Sequence, residues 1–159
     1  MLKPATLYKD EIIKSFKKHI YDKELIFYTG WNGFNIPEIP NDFDGCDYRY
    51  AILDSEKVAG YFCYPYDMYS KCLRNFGLYS FDRKNSVVGK DTLCEIRRII
   101  KEYDPHRMEW HMIGGNPVER HYDRFCQRYN GKKFILTDAI RDRYGRYHND
   151  VIYEIIFGD

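Results

Sequence analysis

Long apolar runs are missing from this chain of 159 residues, and so is any marked excess of one charge. No segment reaches the ~20 consecutive apolar residues of a membrane-crossing helix. The opening MLKPATLYKDEI lacks the apolar core of a signal peptide, so no leader is expected. A formal net charge of +1 speaks against a general polyanion binder and leaves room only for a local basic patch. Cysteine is unpatterned: Cys46, Cys63, Cys72, Cys94 and Cys126 make an odd set with no C-x-x-C spacing. That set fits neither a disulfide framework nor a zinc site. Reduced thiols, a cytoplasmic location and no metal are the expectation. Internal repeats, low-complexity tracts and linkers are also lacking, which leaves one domain over residues 1–159.

What is present describes a soluble globular chain, 44% hydrophobic and 31% charged. Aromatic side chains make up 18% of it, 16 of them tyrosines. Such amphipathic rings serve cores and ligand grooves alike.

Hydrophobic spacing gives the order of elements. Ile12, Ile13, Phe16 and Ile20 recur at helical intervals over residues 6–21. The stretch YTGWNGFNIPEIPNDFDGCD is rich in Gly, Pro and Asn and reads as loop. It carries Trp31, Phe34 and the acids Glu38, Asp42, Asp44 and Asp47. A hairpin follows, with strands at 48–53 and 58–64 around a turn at Asp54–Lys57, and then a strand over 73–81. Beyond Gly89, the residues Leu93, Ile96, Ile99, Ile100 and Tyr103 keep helical spacing until Asp104-Pro105, which predicts a helix over 90–103. RMEWHMI (107–113) reads as a strand. Pro117 opens a second helix over 117–130, with Val118, Tyr122, Phe125 and Tyr129 on one stripe and Gly131 as its stop. KKFILTDAI and VIYEIIF close the chain as strands around the polar loop RDRYGRYHND. Strands alternating with helices after residue 70 favour parallel pairing of 73–81 with 107–113.

The stretch SFDRKNSVVGKD joins a strand to a helix. Such a junction aims free backbone N–H groups at one point, where the helix dipole adds positive character and phosphate binds readily. Gly89 admits close backbone approach, and Lys84 and Lys90 add charge. The plain alternative is a solvated turn with Asp91 capping the helix.

Over residues 48–157 the chain resembles the GCN5-related N-acetyltransferases, the GNAT superfamily. The family's pyrophosphate loop, Q/R-x-x-G-x-G/A, is met here by Lys84-x-x-Val87-x-Gly89, with lysine leading and valine in place of the first glycine. MEWHMIGGNPVERHYDRFCQRYNGKKF is similar to the family's strand, asparagine, tyrosine-bearing helix and closing Gly131 and Phe134. The resemblance implies an α/β fold with a mixed sheet, in which strands 73–81 and 107–113 splay to admit the pantetheine arm. It implies acetyl-CoA as co-substrate and an unknown amine as acceptor. The phosphate site it implies is Lys84, Ser86, Val87, Val88, Gly89 and Lys90, with Asn116 as a further coenzyme contact. An oxyanion donor is implied in the backbone near Tyr79 or Ser80.

Tyr122 matches the family's tyrosine that protonates the departing thiolate; a phenol can donate to sulfur while neutral at pH 7. The same residue lies on the apolar stripe of its helix, so a packed core tyrosine is the competing reading. Glu109 and His111, two apart on a strand, share a face and are candidates for the base that deprotonates the acceptor, with Asp82 as a further one. A Cys/His nucleophile would need Cys94 or Cys126, both in helix interiors where small buried thiols are common. Arg141, Arg143 and Arg146 interleave with Tyr144 and Tyr147 in a pattern that can grip single-stranded nucleic acid, and near-neutral charge argues for a solvated connection instead.

The function this implies is N-acetyl transfer by direct attack in a ternary complex. The alternatives are a GNAT-like binding module without catalysis, which the degenerate loop favours, and a nucleic-acid-binding domain. A homodimer is the candidate assembly.

Overall fold

The computed structural model describes residues 1–23, 26–27, 36–41, 47–83 and 85–158. Lys84, Trp31, Phe34, Asp42, Asp44 and Cys46 lie outside the described residues. Alternating apolar side chains build the expected hairpin from β2 (Asp47–Asp54) and β3 (Lys57–Asp67). Asp54 pairs with Lys57 across a tight turn in which Ser55 sits at φ 57. A strand that periodicity did not reveal, β1 (Leu2–Pro4), pairs antiparallel with β2. Three residues are too few to show alternation, and Pro4 confines the strand to an edge. A 3-10 turn (Ala5–Tyr8) and α1 (Lys9–His19) follow, so the first helix is shorter than 6–21.

The expected strand 73–81 is two strands, β4 (Cys72–Arg74) and β5 (Gly77–Ser80), separated at Asn75, which sits at φ 45. The helix expected over 90–103 is α2 (Ser86–Tyr103) and starts earlier. Asn85 is its N-cap, accepting from the Val87 N–H at 3.0 Å. Asp91 does not cap it; its carboxylate pairs with the Met1 ammonium. Strand β6 (Arg107–Ile113) falls where the sequence put it, and α3 (Glu119–Arg128) lies inside the expected 117–130. The closing strands are β7 (Lys132–Arg141) and β8 (Tyr147–Ile156), joined by a shorter turn than the sequence suggested.

One mixed sheet results, in the order β1-β2-β3-β4-β6-β8-β7, with β5 paired to β3. Helices α2 and α3 cover one face, over a core that includes Ile52, Phe62, Tyr64, Phe76, Trp110 and Tyr153. Helix α1 covers the other, over Ala51, Leu53 and Tyr61. Under α2 a carboxylate is buried: Glu95 accepts from Tyr64 Oη at 2.9 Å and from Arg98 at 2.6 and 2.9 Å. Burial alone would raise its pKa, but the Arg98 and Tyr64 hydrogen bonds outweigh that and hold it below the ordinary value. Among the described residues no helix is long and apolar enough to cross a membrane.

Candidate active site

Parallel pairing between β4 and β6 lasts three residues: Cys72 with Arg107, Leu73 with Met108, Arg74 with Glu109. The Asn75 N–H adds a last bond to Glu109 O at 2.8 Å, and there the two strands part. Downstream, among the described residues, β5 pairs only with β3, and Trp110–Ile113 of β6 pair only with β8. A wedge opens between Gly77–Ser80 and Trp110–Ile113.

Strand parity decides which backbone groups line it. Phe81 N–H donates to Ala59 O at 2.9 Å, which makes 59/81, and so 61/79 and 63/77, the hydrogen-bonded pairs of the β3–β5 ladder. Leu78 and Ser80 therefore turn their N–H and C=O groups away from β3, into the wedge. On the far side, Gly114 N–H donates to Asn149 O and Phe157 N–H to His106 O, both at 2.9 Å. By the same alternation His111 and Ile113 face away from β8, again into the wedge. Of the two residues expected near an oxyanion donor, Ser80 turns its amide into the wedge, as Leu78 does, and Tyr79 turns its amide toward β3. The Tyr79 ring packs 5.0 Å from Phe16, and burial pushes its hydroxyl up to about 12.

The N-terminus of α2 sits at one end of the wedge. A Cβ on Gly60 would come within 2.7 Å of Tyr79 O and 3.3 Å of the Val88 side chain, so glycine is what lets β3 press under the first helical turn. Ser86, Val87, Val88, Gly89 and Lys90 all belong to that helix rather than to a loop. Asn85 Oδ1 takes the Val87 N–H, and Asn85 Nδ2 donates to Asp54 at 2.7 Å. The N–H groups of Ser86 and Val88 remain for an anion. Gly89 faces open space, with nothing within 4 Å of a Cβ built there.

On the α3 side Tyr122 stands among aromatic rings, with centroids 5.7 Å from Trp110, 5.9 Å from Tyr153 and 6.1 Å from Phe76. Its hydroxyl makes no hydrogen bond to a described residue, and burial raises its pKa. On the α1 side His111 Nδ1 lies 3.1 Å from Asp150. A carboxylate there favours the tautomer with hydrogen on Nδ1 and leaves the Nε2 lone pair free. Glu109 shares that face but is held by Arg107 at 2.6 Å, which also reaches Glu154 at 2.9 Å.

No protein-family model and no curated protein sequence matches the chain. Solved structures do. An N-acetyltransferase from Staphylococcus aureus superposes with a TM-score of 0.71 at 12% identity, over 98% of this chain and 97% of that one. A ribosomal α-N-protein acetyltransferase in complex with coenzyme A gives 0.55 at 14% identity, over 71% of this chain and 63% of that one. A GCN5-related N-acetyltransferase from Brucella melitensis gives 0.62 at 18% identity, over 98% and 74%. The chain has the GNAT fold.

In this GNAT fold the sequence-predicted residues separate into groups. Ser80, His111 and Tyr122 converge on the wedge, and Ser86, Val88 and Gly89 converge on its helical end. Asn116 is already engaged: its Oδ1 accepts from Val118 N–H at 3.1 Å and its Nδ2 donates to Phe27 O, which braces the turn ahead of α3 and ties down residue 27. Asp82 is exposed beside the Ser80 hydroxyl, which donates to its carbonyl at 2.9 Å. Cys126 is buried, with its thiol pushed up by that burial, and Cys94 is exposed on α2. The Arg/Tyr turn is occupied internally. Asp142 accepts from Arg146 and His148, and Arg143 donates to Ile20 O at 2.9 Å.

Asp150, Gly60 and Asn85 were missed. Asp150 touches His111 diagonally across two strands, so only the β6–β8 register reveals it. Gly60 and Asn85 carried readable signals, a glycine inside a strand and a capping residue before a helix.

Proposed function

We propose that the chain is an N-acetyltransferase that moves an acetyl group from acetyl-CoA to an amine by direct attack in a ternary complex. The observation that carries this reading is the wedge: outward backbone groups of Leu78, Ser80, His111 and Ile113, a phenol on one face and a His–Asp pair on the other. The site suits the coenzyme. An extended amide-bearing arm matches the open strand edges, and a pyrophosphate matches the Ser86 and Val88 N–H groups beside exposed Gly89 and Lys90. Coenzyme neighbours of the fold support it, one of them in complex with coenzyme A.

When bound, acetyl-CoA supplies an activated acyl thioester. His111 Nε2 accepts the proton that the acceptor amine gives up, with Asp150 holding the ring. The Ser80 N–H meets the oxyanion that develops at the acyl carbon, and the Leu78 N–H, two residues along the strand and out of reach of the same oxygen, is left for the extended arm of the coenzyme. Tyr122, a phenol that is neutral at pH 7 and whose pKa burial raises further, offers its proton to the leaving sulfur. One proton leaves nitrogen and one arrives at sulfur, balancing the exchange of a C–S bond for a C–N bond. The acceptor approaches on the α1 face. A cleft of about 290 Å³ lies there, lined by Glu38, Arg49, Tyr61 and Cys63 among others, one strand from the wedge because Cys63 pairs with Gly77.

A second reading, a GNAT-fold binding module without catalysis, is favoured by Asn85, which occupies an N–H that a phosphate would use. Thermal shift with coenzyme A and acetyl-CoA, followed by an amine and peptide screen for thiol release, separates the two. Ligand at 100 times its Kd stabilises by about 2.7 kcal/mol. Binding with turnover supports the enzyme, binding without turnover supports the module, and no binding removes both.

A further inference from the structure

Helices α2 and α3 lie on the same face of the sheet, and their outward sides carry charge of one sign. Val88, Thr92, Ile96 and Ile99 turn α2 inward, so at about 3.6 residues per turn its opposite stripe is Lys90, Cys94, Arg97 and Lys101, all exposed. On α3, Tyr122, Phe125, Cys126 and Tyr129 face the core, and the opposite stripe is Arg120, Arg124, Gln127 and Arg128, again exposed. Neither stripe holds an acid. The acids of these helices sit on the flanks and are taken: Asp91 by the Met1 ammonium, Glu95 and Glu102 by Arg98, Glu119 and Asp123 by Lys133. Lys90, Arg97, Lys101, Arg124 and Arg128 make no ion pair or hydrogen bond to a described residue, and Arg120 reaches only the neighbouring His121 ring at 3.4 Å.

This composition selects a partner. A protein interface is built round apolar and aromatic side chains, whereas the positions between these cations are Cys94 and Gln127. A nucleic-acid backbone needs cations and no apolar centre, and an acid among them would repel phosphate. Four of the six cations are arginines, whose planar fork meets phosphate with two parallel bonds. Neither stripe carries an aromatic ring to stack on unpaired bases, so the match is to a duplex. We propose that the outward faces of α2 and α3 dock the sugar–phosphate backbone of a double-stranded nucleic acid without reading its sequence. Arg97, Lys101, Arg124 and Arg128 lie in the C-terminal halves of their helices, and the wedge opens at the N-terminal ends. Arg97 stands about 16 Å along α2 from Ser86. The docking face is therefore independent of the acetyltransferase reading.

Fluorescence anisotropy of the full chain against short labelled duplexes of RNA and of DNA, two unrelated sequences of each, tests it. Affinity should be equal for the two sequences and fall with salt, the log–log slope being about −0.9 for each phosphate neutralised. Arg97→Gln/Arg124→Gln/Arg128→Gln should weaken binding at least tenfold and flatten that slope by about 3. Lys14→Gln/Lys17→Gln/Lys18→Gln removes the same charge from exposed lysines of α1, on the other face of the sheet, and should leave affinity within about twofold. Circular dichroism on both variants checks folding, and the thermal shift with coenzyme A reports separately on the acetyltransferase reading. Tighter binding of RNA than of DNA, or the reverse, names the source of the duplex. No duplex binding at low salt, an equal loss in the α1 variant, or tighter binding to polyglutamate or phosphatidylserine vesicles than to either duplex overturns the proposal.

Discussion

On the α1 side of the wedge the titratable groups are wet and bonded: His111 is exposed against Asp150 at 3.1 Å, and Glu109 is gripped by Arg107 at 2.6 Å. On the α3 side Tyr122 stands among three rings with no hydrogen-bond partner among the described residues. Water on the first side supplies and removes protons freely, which suits a base acting on a soluble amine. The rings on the second side hold a neutral phenol in place, which suits a donor that stays protonated until a thiolate forms beside it. In the proposed reaction, the same sheet would separate the two proton transfers by placing His111 and Tyr122 on opposite faces.

Tyr122→Phe is the harshest test of that division. The ring survives, so packing should hold, while turnover falls roughly 10²- to 10⁴-fold and coenzyme affinity stays nearly constant. Turnover that hardly moves would make Tyr122 a core residue. His111→Gln should lower kcat/KM about 10²-fold, with Asp150→Asn acting in the same direction but less. Unchanged kcat/KM in both variants would place the base elsewhere.

Gly89→Pro should weaken coenzyme A binding by roughly tenfold in calorimetry, since proline removes an N–H and crowds the carbonyl four residues back. Gly89→Ala, built into open space, should instead stabilise α2 by up to ~1 kcal/mol. A smaller effect concerns acid stability. Glu95 has a folded pKa below its ordinary 4.5, so its contribution is present above that value and lost as pH falls beneath it. Acid titration of Glu95→Gln, followed by circular dichroism, should show a shallower loss of stability over that range than wild type. Smallest is Lys90→Ala, which should cost less than about fivefold in coenzyme affinity and nothing at high salt.

Much of the fold was legible because its elements are periodic. Strand β6 carries alternating Met108, Trp110 and Met112, and the hairpin carries a polar turn between two apolar runs. The start of α2 was misread because Val87 and Val88 favour strands and Gly89 looks like a boundary, whereas Val88 packs over Gly60 and the helix begins at Ser86, behind its Asn85 cap. The break between β4 and β5 left no trace, because one residue in a left-handed conformation changes no hydrophobic pattern. The site was half legible. Tyr122 and His111 follow from position on one element, but the choice of Ser80 and Leu78 over Tyr79, and the Asp150 contact, depend on inter-strand register. Lys84 and most of the stretch 29–47 lie outside the described residues.

Asn75 carries a consequence for folding. Two parallel strands that begin to pair at Cys72–Arg74 and Arg107–Glu109 would, left alone, zip together along their whole length. Asn75, at φ 45, is the stop on that zipper. Deleting it would slip Phe76–Ser80 by one position, and a side-chain period of two would send Phe76 from the aromatic stack to the opposite face. The slipped chain could close ladder bonds that the native sheet leaves open. A closed sheet would thus give up the Phe76 ring stacked 5.6 Å from Trp110 and the pairing of β5 with β3, the two contacts that hold the opening.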